Sequence, residues 1–128
     1  LTERLQAVVD RVSARMAEDP LGFVLQNRLL SRAELRVARQ VPWLAKMFYG
    51  TALERAVRDA IAVDPVLETI FLHVGGAGRA DFVGAGRFRG FNFDLTTSKG
   101  IASHLRRPGY GPGLNIVTYH RPRGFKTF

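Results

Sequence analysis

The sequence has no cysteine among its 128 residues, which excludes disulfide bonds, thiolate metal sites and a cysteine nucleophile. It has no apolar run near the roughly 20 residues that span a bilayer and no signal peptide, so we expect no stable membrane span. Acidic residues are few: 11 Asp and Glu stand against 19 Lys and Arg, for a net charge of +8. The chain begins with Leu1 rather than Met, as expected of a piece of a longer polypeptide or a processed product.

The positive charge is concentrated in the second half of the chain. Residues 65–128 hold nine Lys and Arg but only three acids, which are Glu68, Asp81 and Asp94. A basic half of this kind indicates a polyanionic partner: nucleic acid first, an anionic membrane second and an acidic protein third. A chain of this length forms one domain that can bury a core of its own.

The first half has the spacing of helices. An apolar stripe from Leu5 to Met16 predicts a helix that ends at Asp19-Pro20. A second helical segment is predicted over Phe23–Arg39, with a restart where Ser31 and Glu34 form a capping-box pattern. Pro42 is expected to interrupt the helices, and a last helix is predicted from Thr51 to Ala62. An apolar cluster between these last two features is predicted to lie in the core: Trp43, Leu44, Met47 and Phe48.

The second half has the pattern of strands. Apolar runs bounded by Gly-rich turns predict strands over Thr69–Val74, Asp81–Val83, Phe88–Leu95 and Asn115–His120, with a short helix over Lys99–Arg106. We therefore expect an α/β (α+β) fold, in which N-terminal helices precede an α-β-β-β-α-β core with a mixed four-stranded sheet. Residues 1–48 would form a helical accessory region of one compact domain, and residues 49–128 its core.

Two of these predicted strands each contain one carboxylate, Asp81 and Asp94, on either side of a turn that contains Gly84-Ala85-Gly86. Carboxylates are depleted in strands and costly to bury. Two of them in neighbouring strands indicate a site for a metal ion or a proton. The alternative is that both are exposed edge residues of an ordinary hairpin.

The order of the elements and the placement of these acids resemble the core of the PD-(D/E)XK, or restriction-endonuclease-like, nucleases. The resemblance covers residues 49–120, with Ala80 where a Pro usually precedes the first acid. In that family, strand acids and often a helical Glu hold Mg²⁺ (or Mn²⁺) for the hydrolysis of phosphodiester bonds. The resemblance therefore implies that Asp81, Asp94 and Glu54 bind the metal ion.

The sequence departs from that family two positions after Asp94, where Thr96 stands in place of the usual Lys. Lys99, at the start of the next predicted helix, is the residue we expect to orient or activate the attacking water instead. Thr96 or Thr97 would then contact the phosphate or the metal ligands. The resemblance thus implies a catalytic set of Glu54, Asp81, Asp94, Thr96 and Lys99.

A basic, cysteine-free domain of this size is also similar to the C-terminal toxin modules of bacterial contact-dependent inhibition and polymorphic toxin systems. That similarity implies secretion or cell-surface delivery, action on DNA or tRNA in the cytoplasm of a target cell, and a cognate immunity protein. The charge of +8 suggests that the immunity protein is acidic.

Two alternatives remain open from the residues themselves. The first is a metal-independent RNase toxin in which His73, His104 and His120 supply an acid and a base, and Arg106, Arg107 and Arg121 stabilise the phosphate. The second is a non-catalytic nucleic-acid-binding module. For the nuclease, the expected contacts to nucleic acid are Arg87, Arg89, His104, Arg106, Arg107, Tyr110 and His120.

Overall fold

Four α-helices precede a mixed β-sheet in the computed structural model of the chain, which describes residues 1–72, 80–101 and 114–128. The helices are α1 (Thr2–Glu18), α2 (Pro20–Gln26), α3 (Arg32–Gln40) and α4 (Pro42–Ala62). The strands are β1 (Phe71–Leu72), β2 (Phe82–Gly84), β3 (Asn92–Thr97) and β4 (Leu114–Tyr119). Within these ranges, no helix is both long and apolar enough to cross a membrane.

The helix predicted before Asp19-Pro20 is confirmed as α1, whose stripe from Leu5 to Met16 is buried. The Asp19 carboxylate accepts the backbone N–H of Gly22 at 3.1 Å and so caps α2. Pro20 occupies the first turn of α2, where a helix needs no N–H from it. The second helix therefore begins at the proline itself, three residues earlier than predicted.

The capping box predicted at Ser31 and Glu34 is also confirmed, and it begins α3. The Ser31 hydroxyl accepts the N–H of Glu34, and the Glu34 carboxylate accepts the N–H of Ser31. The same carboxylate accepts hydrogen bonds from both terminal nitrogens of Arg55 on α4, at 2.8 and 3.0 Å. Arg55 also donates to the carbonyl of Leu29, so it joins α4 to α3 and to the loop before it.

The predicted interruption at Pro42 is wrong, because this residue begins α4 rather than ending a helix. A proline at the first helical position loses no hydrogen bond and has a suitable φ. The predicted burial of the apolar cluster is also wrong in part, since Trp43 is 76% and Met47 53% exposed. Phe48 does pack against the core. α4 continues without a break past residue 48, where we placed the boundary of the accessory region.

The three longest strands form a mixed sheet, and the two-residue β1 extends it at one edge in the order β1-β2-β3-β4. β2 pairs antiparallel with β1 and with β3, whereas β4 runs parallel to β3 with Thr97 opposite Tyr119. β3 begins at Asn92, four residues later than predicted, because Gly86–Phe88 forms a 3-10 turn and Gly90 has a φ of 97°. The helix predicted over Lys99–Arg106 lies mostly outside the described residues.

One hydrophobic core unites the helices and the sheet. Leu5, Val9 and Met16 of α1 and Leu53 of α4 pack with strand residues and with Phe128 near the C-terminus. The core thus includes residues from both 1–48 and 49–128. β3 is buried on both faces, since Phe93 to Thr96 are all nearly inaccessible to solvent. An acid on that strand is therefore inside the protein, which rules out an exposed hairpin edge for Asp94.

Candidate active site

Asp81 and Asp94 are joined to each other's strands by reciprocal hydrogen bonds. The β2–β3 ladder pairs Phe82 with Phe93, and Asp81 lies opposite Asp94 at the next position, just before β2 begins. Oδ1 of Asp94 accepts the backbone N–H of Asp81 at 3.0 Å. Oδ2 of Asp81 accepts the backbone N–H of Leu95 at 2.8 Å. These two bonds hold the carboxylates at a fixed place where the regular pairing of the strands ends.

Glu54 of α4 completes a group of three carboxyl groups at this point. Burial, together with the negative charges of Glu54 and Asp94, raises the pKa of Asp81 to about 7. The N–H of Leu95 opposes this rise, and a hydrogen bond with Glu54 adds to it. Asp81 therefore gains or loses a proton near neutral pH, the range in which a carboxyl group can act as an acid or a base.

Glu54 belongs to a row of residues on α4 that also contains Lys46 and Gly50, at intervals of four. Residues at this spacing lie above one another on a single face of a helix. Gly50 is the point at which Tyr119 of β4 approaches α4, since a Cβ on Gly50 would lie 2.8 Å from the Tyr119 hydroxyl. The glycine therefore makes room for this phenol between a lysine and a glutamate.

Tyr119 is surrounded by charges of both signs. Burial raises the pKa of its phenol, and the nearby Arg121, which hydrogen-bonds the phenol, opposes that rise. The negative charges of Asp81 and Glu54 also raise the pKa, so the phenol lies within electrostatic reach of both carboxyl groups. The Tyr119 ring stacks on Tyr49 with centroids 6.3 Å apart. Tyr119 thus lies between the acidic group and a set of basic side chains.

These basic side chains line an open cavity of about 280 Å³ at the carboxyl ends of β3 and β4. The Tyr119 phenol forms part of its wall, next to Thr97. The basic residues of the wall come from three separate parts of the chain: Lys46, Lys99, and the neighbours His120 and Arg121. A cavity with several cations and a hydroxyl group is suited to a phosphate group.

The structure places the expected catalytic residues in two adjoining groups. Asp94 and Thr96 are buried on the same face of β3, 1% and 6% exposed respectively. Lys99 lies in the 3-10 turn Ser98–Gly100 that follows β3, and its side chain lines the basic cavity. Asp81 and Glu54 form the acidic group with Asp94, and Thr97 lines the basic cavity.

Whether a metal ion fits this site depends on how many protein ligands that ion needs. Among the described residues, no three His, Cys, Asp or Glu side chains are arranged to hold a metal ion by themselves. Mg²⁺, however, usually binds one or two carboxylates and completes its shell with waters and substrate phosphate. A cluster that retains a proton to about pH 7 also has an excess of negative charge for a cation to neutralise. The acidic group therefore fits Mg²⁺ as a partial ligand set.

The expected nucleic-acid contacts are described only in part. His120 lines the basic cavity, and Arg89 is exposed after the 3-10 turn. Arg89 lies outside β3, although the strand predicted over Phe88–Leu95 included it. Several other predicted residues lie outside the described side chains: His73, Arg87, His104, Arg106, Arg107 and Tyr110.

Lys46 and Gly50 are the site residues that the sequence did not reveal. Their spacing from Glu54 is visible in the sequence, but a helix predicted to begin at Thr51 excludes both from the row. Had Pro42 been assigned as the first residue of a helix, the row Lys46-Gly50-Glu54 would have been apparent.

No family model, curated protein or solved structure matches this chain. The resemblance to the PD-(D/E)XK nucleases accordingly depends on the residues and the order of elements alone.

Proposed function

We propose that the domain is a Mg²⁺-dependent nuclease that hydrolyses phosphodiester bonds of DNA or tRNA. The observation that carries this proposal is the acidic group of Glu54, Asp81 and Asp94 beside a cavity lined by Lys46, Lys99, His120 and Arg121. A metal-dependent nuclease uses both: carboxylates where the reaction occurs, and cations next to them to hold the phosphate backbone. Tyr119 links the two groups.

Each part of the site has a distinct task in this proposal. One or two of the carboxylates of Glu54, Asp81 and Asp94 would hold the ion, whose chemistry is to activate a water and to neutralise charge on the phosphate. Lys99 and Arg121 would bind the phosphate oxygens and orient the bond to be cleaved. Lys99 would also orient or activate the attacking water, the role expected for it from the sequence. Thr96 would support Asp94 from the same face of β3.

The order of the elements supports a PD-(D/E)XK-type core. A long helix with Glu54 precedes three strands, and the parallel β4 ends the sheet. The biological setting is a further proposal: a bacterial toxin module, delivered into a target cell and neutralised by an acidic immunity protein. The net charge of +8 and the basic cavity support such a pairing, because an acidic protein would compete with nucleic acid for the same cations.

A metal-independent RNase is the second candidate, and the position of His120 favours it. His120 lines the cavity together with Arg121, as an acid or base and a phosphate-binding residue would. A non-catalytic binding module would use the same cavity without any reaction.

The deciding experiment incubates the domain with plasmid DNA and with total tRNA, each in Mg²⁺ and in EDTA. The key variant is Asp94→Asn, which keeps an oxygen to accept the N–H of Asp81 but removes the charge. Asp59→Asn, on the exposed face of α4, is the matched control. We expect cleavage only with Mg²⁺, a loss of about a hundredfold or more in Asp94→Asn, and no loss in the control.

Each other outcome identifies a different function. Cleavage of RNA in EDTA that is lost in His120→Ala would establish the histidine mechanism instead. Nucleic-acid binding without cleavage in any condition would leave the binding module. Binding should persist or improve in Asp94→Asn under our proposal, because the variant removes a negative charge that repels the polyanion.

A further inference from the structure

One face of α4 combines an exposed aromatic ring, a cation and the acidic residue of the candidate site. Trp43, Lys46, Met47, Gly50 and Glu54 follow helical spacing and fall within one stripe, which we call the α4 stripe. From Trp43 to Glu54 the stripe is about 16 Å long, at 1.5 Å per residue. It leads from the protein surface, past the basic cavity, to the carboxyl groups.

The outer end of the α4 stripe is apolar and open to solvent. Trp43 is 76% and Met47 53% exposed, although tryptophan usually buries most of its large ring. Neither side chain belongs to the hydrophobic core of the described residues. Between them in sequence lies Lys46, whose side chain lines the basic cavity. The exposed indole is therefore next to a place suited to a phosphate.

An aromatic ring that lies one helical turn from a cluster of cations is complementary to a nucleotide. A base can stack on an indole, and the phosphate attached to it can bind lysine and arginine. We propose that the α4 stripe binds unpaired nucleotides, with a base stacked on Trp43 and its phosphate in the cavity of Lys46, Lys99 and Arg121. The substrate class is then a single strand or an RNA loop, not a continuous duplex.

The restriction to unpaired nucleotides follows from the geometry of stacking. In a duplex, both faces of each base are covered by its neighbours, so an indole on a convex helix surface finds no open face. The phosphates of a duplex would still contact the cations, but without any contribution from Trp43. This inference rests on the proposed function in one respect only, namely that a polynucleotide is the ligand.

Charge favours a nucleic acid over an apolar protein surface as the occupant. A protein partner for an exposed Trp and Met needs an apolar patch, but the stripe leads directly into a cavity with four basic side chains. The described part of the cavity wall contains no acid, so the whole surface from Lys46 to Arg121 favours a polyanion. A nucleic acid satisfies both the aromatic and the cationic parts of the stripe.

The test uses the intrinsic fluorescence of Trp43, which is the single tryptophan of the sequence. The domain is titrated in EDTA, so that no Mg²⁺-dependent cleavage occurs, with a single-stranded oligonucleotide and with its matched duplex. Stacking of a base quenches indole emission. We expect strong quenching by the single strand, little by the duplex, and tighter binding of the single strand by labelled-oligonucleotide anisotropy.

Three variants separate stacking from folding and from catalysis. Trp43→Ala should weaken single-strand binding about tenfold and duplex binding very little. Trp43→Phe should restore most of that affinity, because a phenyl ring also stacks. Leu25→Ala, an exposed apolar residue of α2 outside the stripe, should change neither.

The outcomes distinguish failure of this inference from failure of the proposed function. Equal quenching by duplex and single strand, or a Trp43→Ala variant with unchanged single-strand affinity, would overturn the inference even if the domain cleaves nucleic acid. Selective single-strand binding through Trp43 without any cleavage would uphold it while the nuclease proposal fails. Quenching by neither oligonucleotide would also overturn the inference.

Discussion

The hydroxyl of Tyr119 reaches so close to Gly50 that a Cβ at this position would lie 2.8 Å from it, with the ring carbon that bears the hydroxyl at 3.8 Å. The phenolic oxygen is therefore the only atom of Tyr119 that a Cβ at position 50 would crowd. We predict that Gly50→Ala displaces the phenol and reduces cleavage at least tenfold, measured as kcat/KM at saturating Mg²⁺. Stability should change little, since alanine favours a helix by about 1 kcal/mol over glycine and offsets part of the clash.

The double variant Gly50→Ala/Tyr119→Phe tests the cause of that loss. Removing the hydroxyl makes room for the Cβ, so the double variant should be as active as Tyr119→Phe alone. An additive loss in the double variant would show that Gly50 acts in some other way, for example through the geometry of α4.

Asp81 should make both stability and metal binding depend on pH. Its pKa is raised from an ordinary 3.8 to about 7, so the folded state binds the proton more tightly than the unfolded state. The stabilisation from this proton is fully present below about pH 4 and is lost as the pH rises to about 7, at up to ~1.4 kcal/mol per pH unit. A cation replaces the proton, so Mg²⁺ should raise the Tm at pH 8 and have little effect at pH 5.

Asp81→Asn isolates this contribution, because the amide oxygen can still accept the N–H of Leu95 but cannot titrate. We expect the free energy of unfolding of the unmodified domain to fall between pH 4 and pH 8 as Asp81 loses its proton. The free energy of unfolding of Asp81→Asn should lack this contribution. The Mg²⁺ effect at pH 8 should disappear in this variant and persist in Asp59→Asn. A Tm that responds equally to Mg²⁺ at both pH values would contradict binding at this group.

The sequence was sufficient for those features that depend on local patterns. The stripe of α1, the capping box at Ser31 and the acids near β2 and β3 follow from spacing and residue type alone. The prediction failed at Pro42, where one residue type is compatible with either the end or the start of a helix. That choice is decided by the packing of α4 against α1 and α3, which no local pattern records.

The acidic residues of the candidate site were predictable from the sequence, but the residues around them were not. Asp81 and Asp94 stand out because carboxylates are rare in strands, so their type alone identified them. Lys46, Gly50 and Tyr119 come together through the packing of α4 on the end of β4, which are far apart in the chain. Ordinary residue types of this kind acquire a role only from tertiary contacts.

The ion pair between Glu34 and Arg55 should stabilise the junction of α3 and α4. Hydrogen bonding to Arg55 lowers the pKa of Glu34 from 4.5 to about 2. The stabilisation is therefore present above about pH 4.5 and is lost as the pH falls to about 2. We predict that Glu34→Gln lowers the free energy of unfolding by about 1–2 kcal/mol at pH 7, a value that allows for partial solvent screening.

Glutamine keeps the hydrogen bond to the Ser31 N–H, so Glu34→Gln removes the charge without removing the cap. Urea denaturation at pH 7 and at pH 2.5 should show a difference from the unmodified domain that shrinks at the lower pH. Glu68→Gln, at an exposed position, is the control and should have no effect. A difference that is the same at both pH values would mean that packing, rather than charge, joins the two helices.

Each of the lysines and the arginine of the basic cavity should make a separate contribution to the salt dependence of nucleic-acid binding. Each phosphate contact to a single strand contributes about 0.7 to the slope of log K against log salt concentration, because neutralising a phosphate releases its counterions. We therefore predict that Lys46→Ala, Lys99→Ala and Arg121→Ala each reduce the slope by about 0.7. The measurement is oligonucleotide anisotropy in EDTA over a range of salt. Arg11→Ala, which lines a separate cavity between α1 and α4, should leave the slope unchanged. Equal reductions in all four variants would show that general charge, and not this cavity, holds the phosphates.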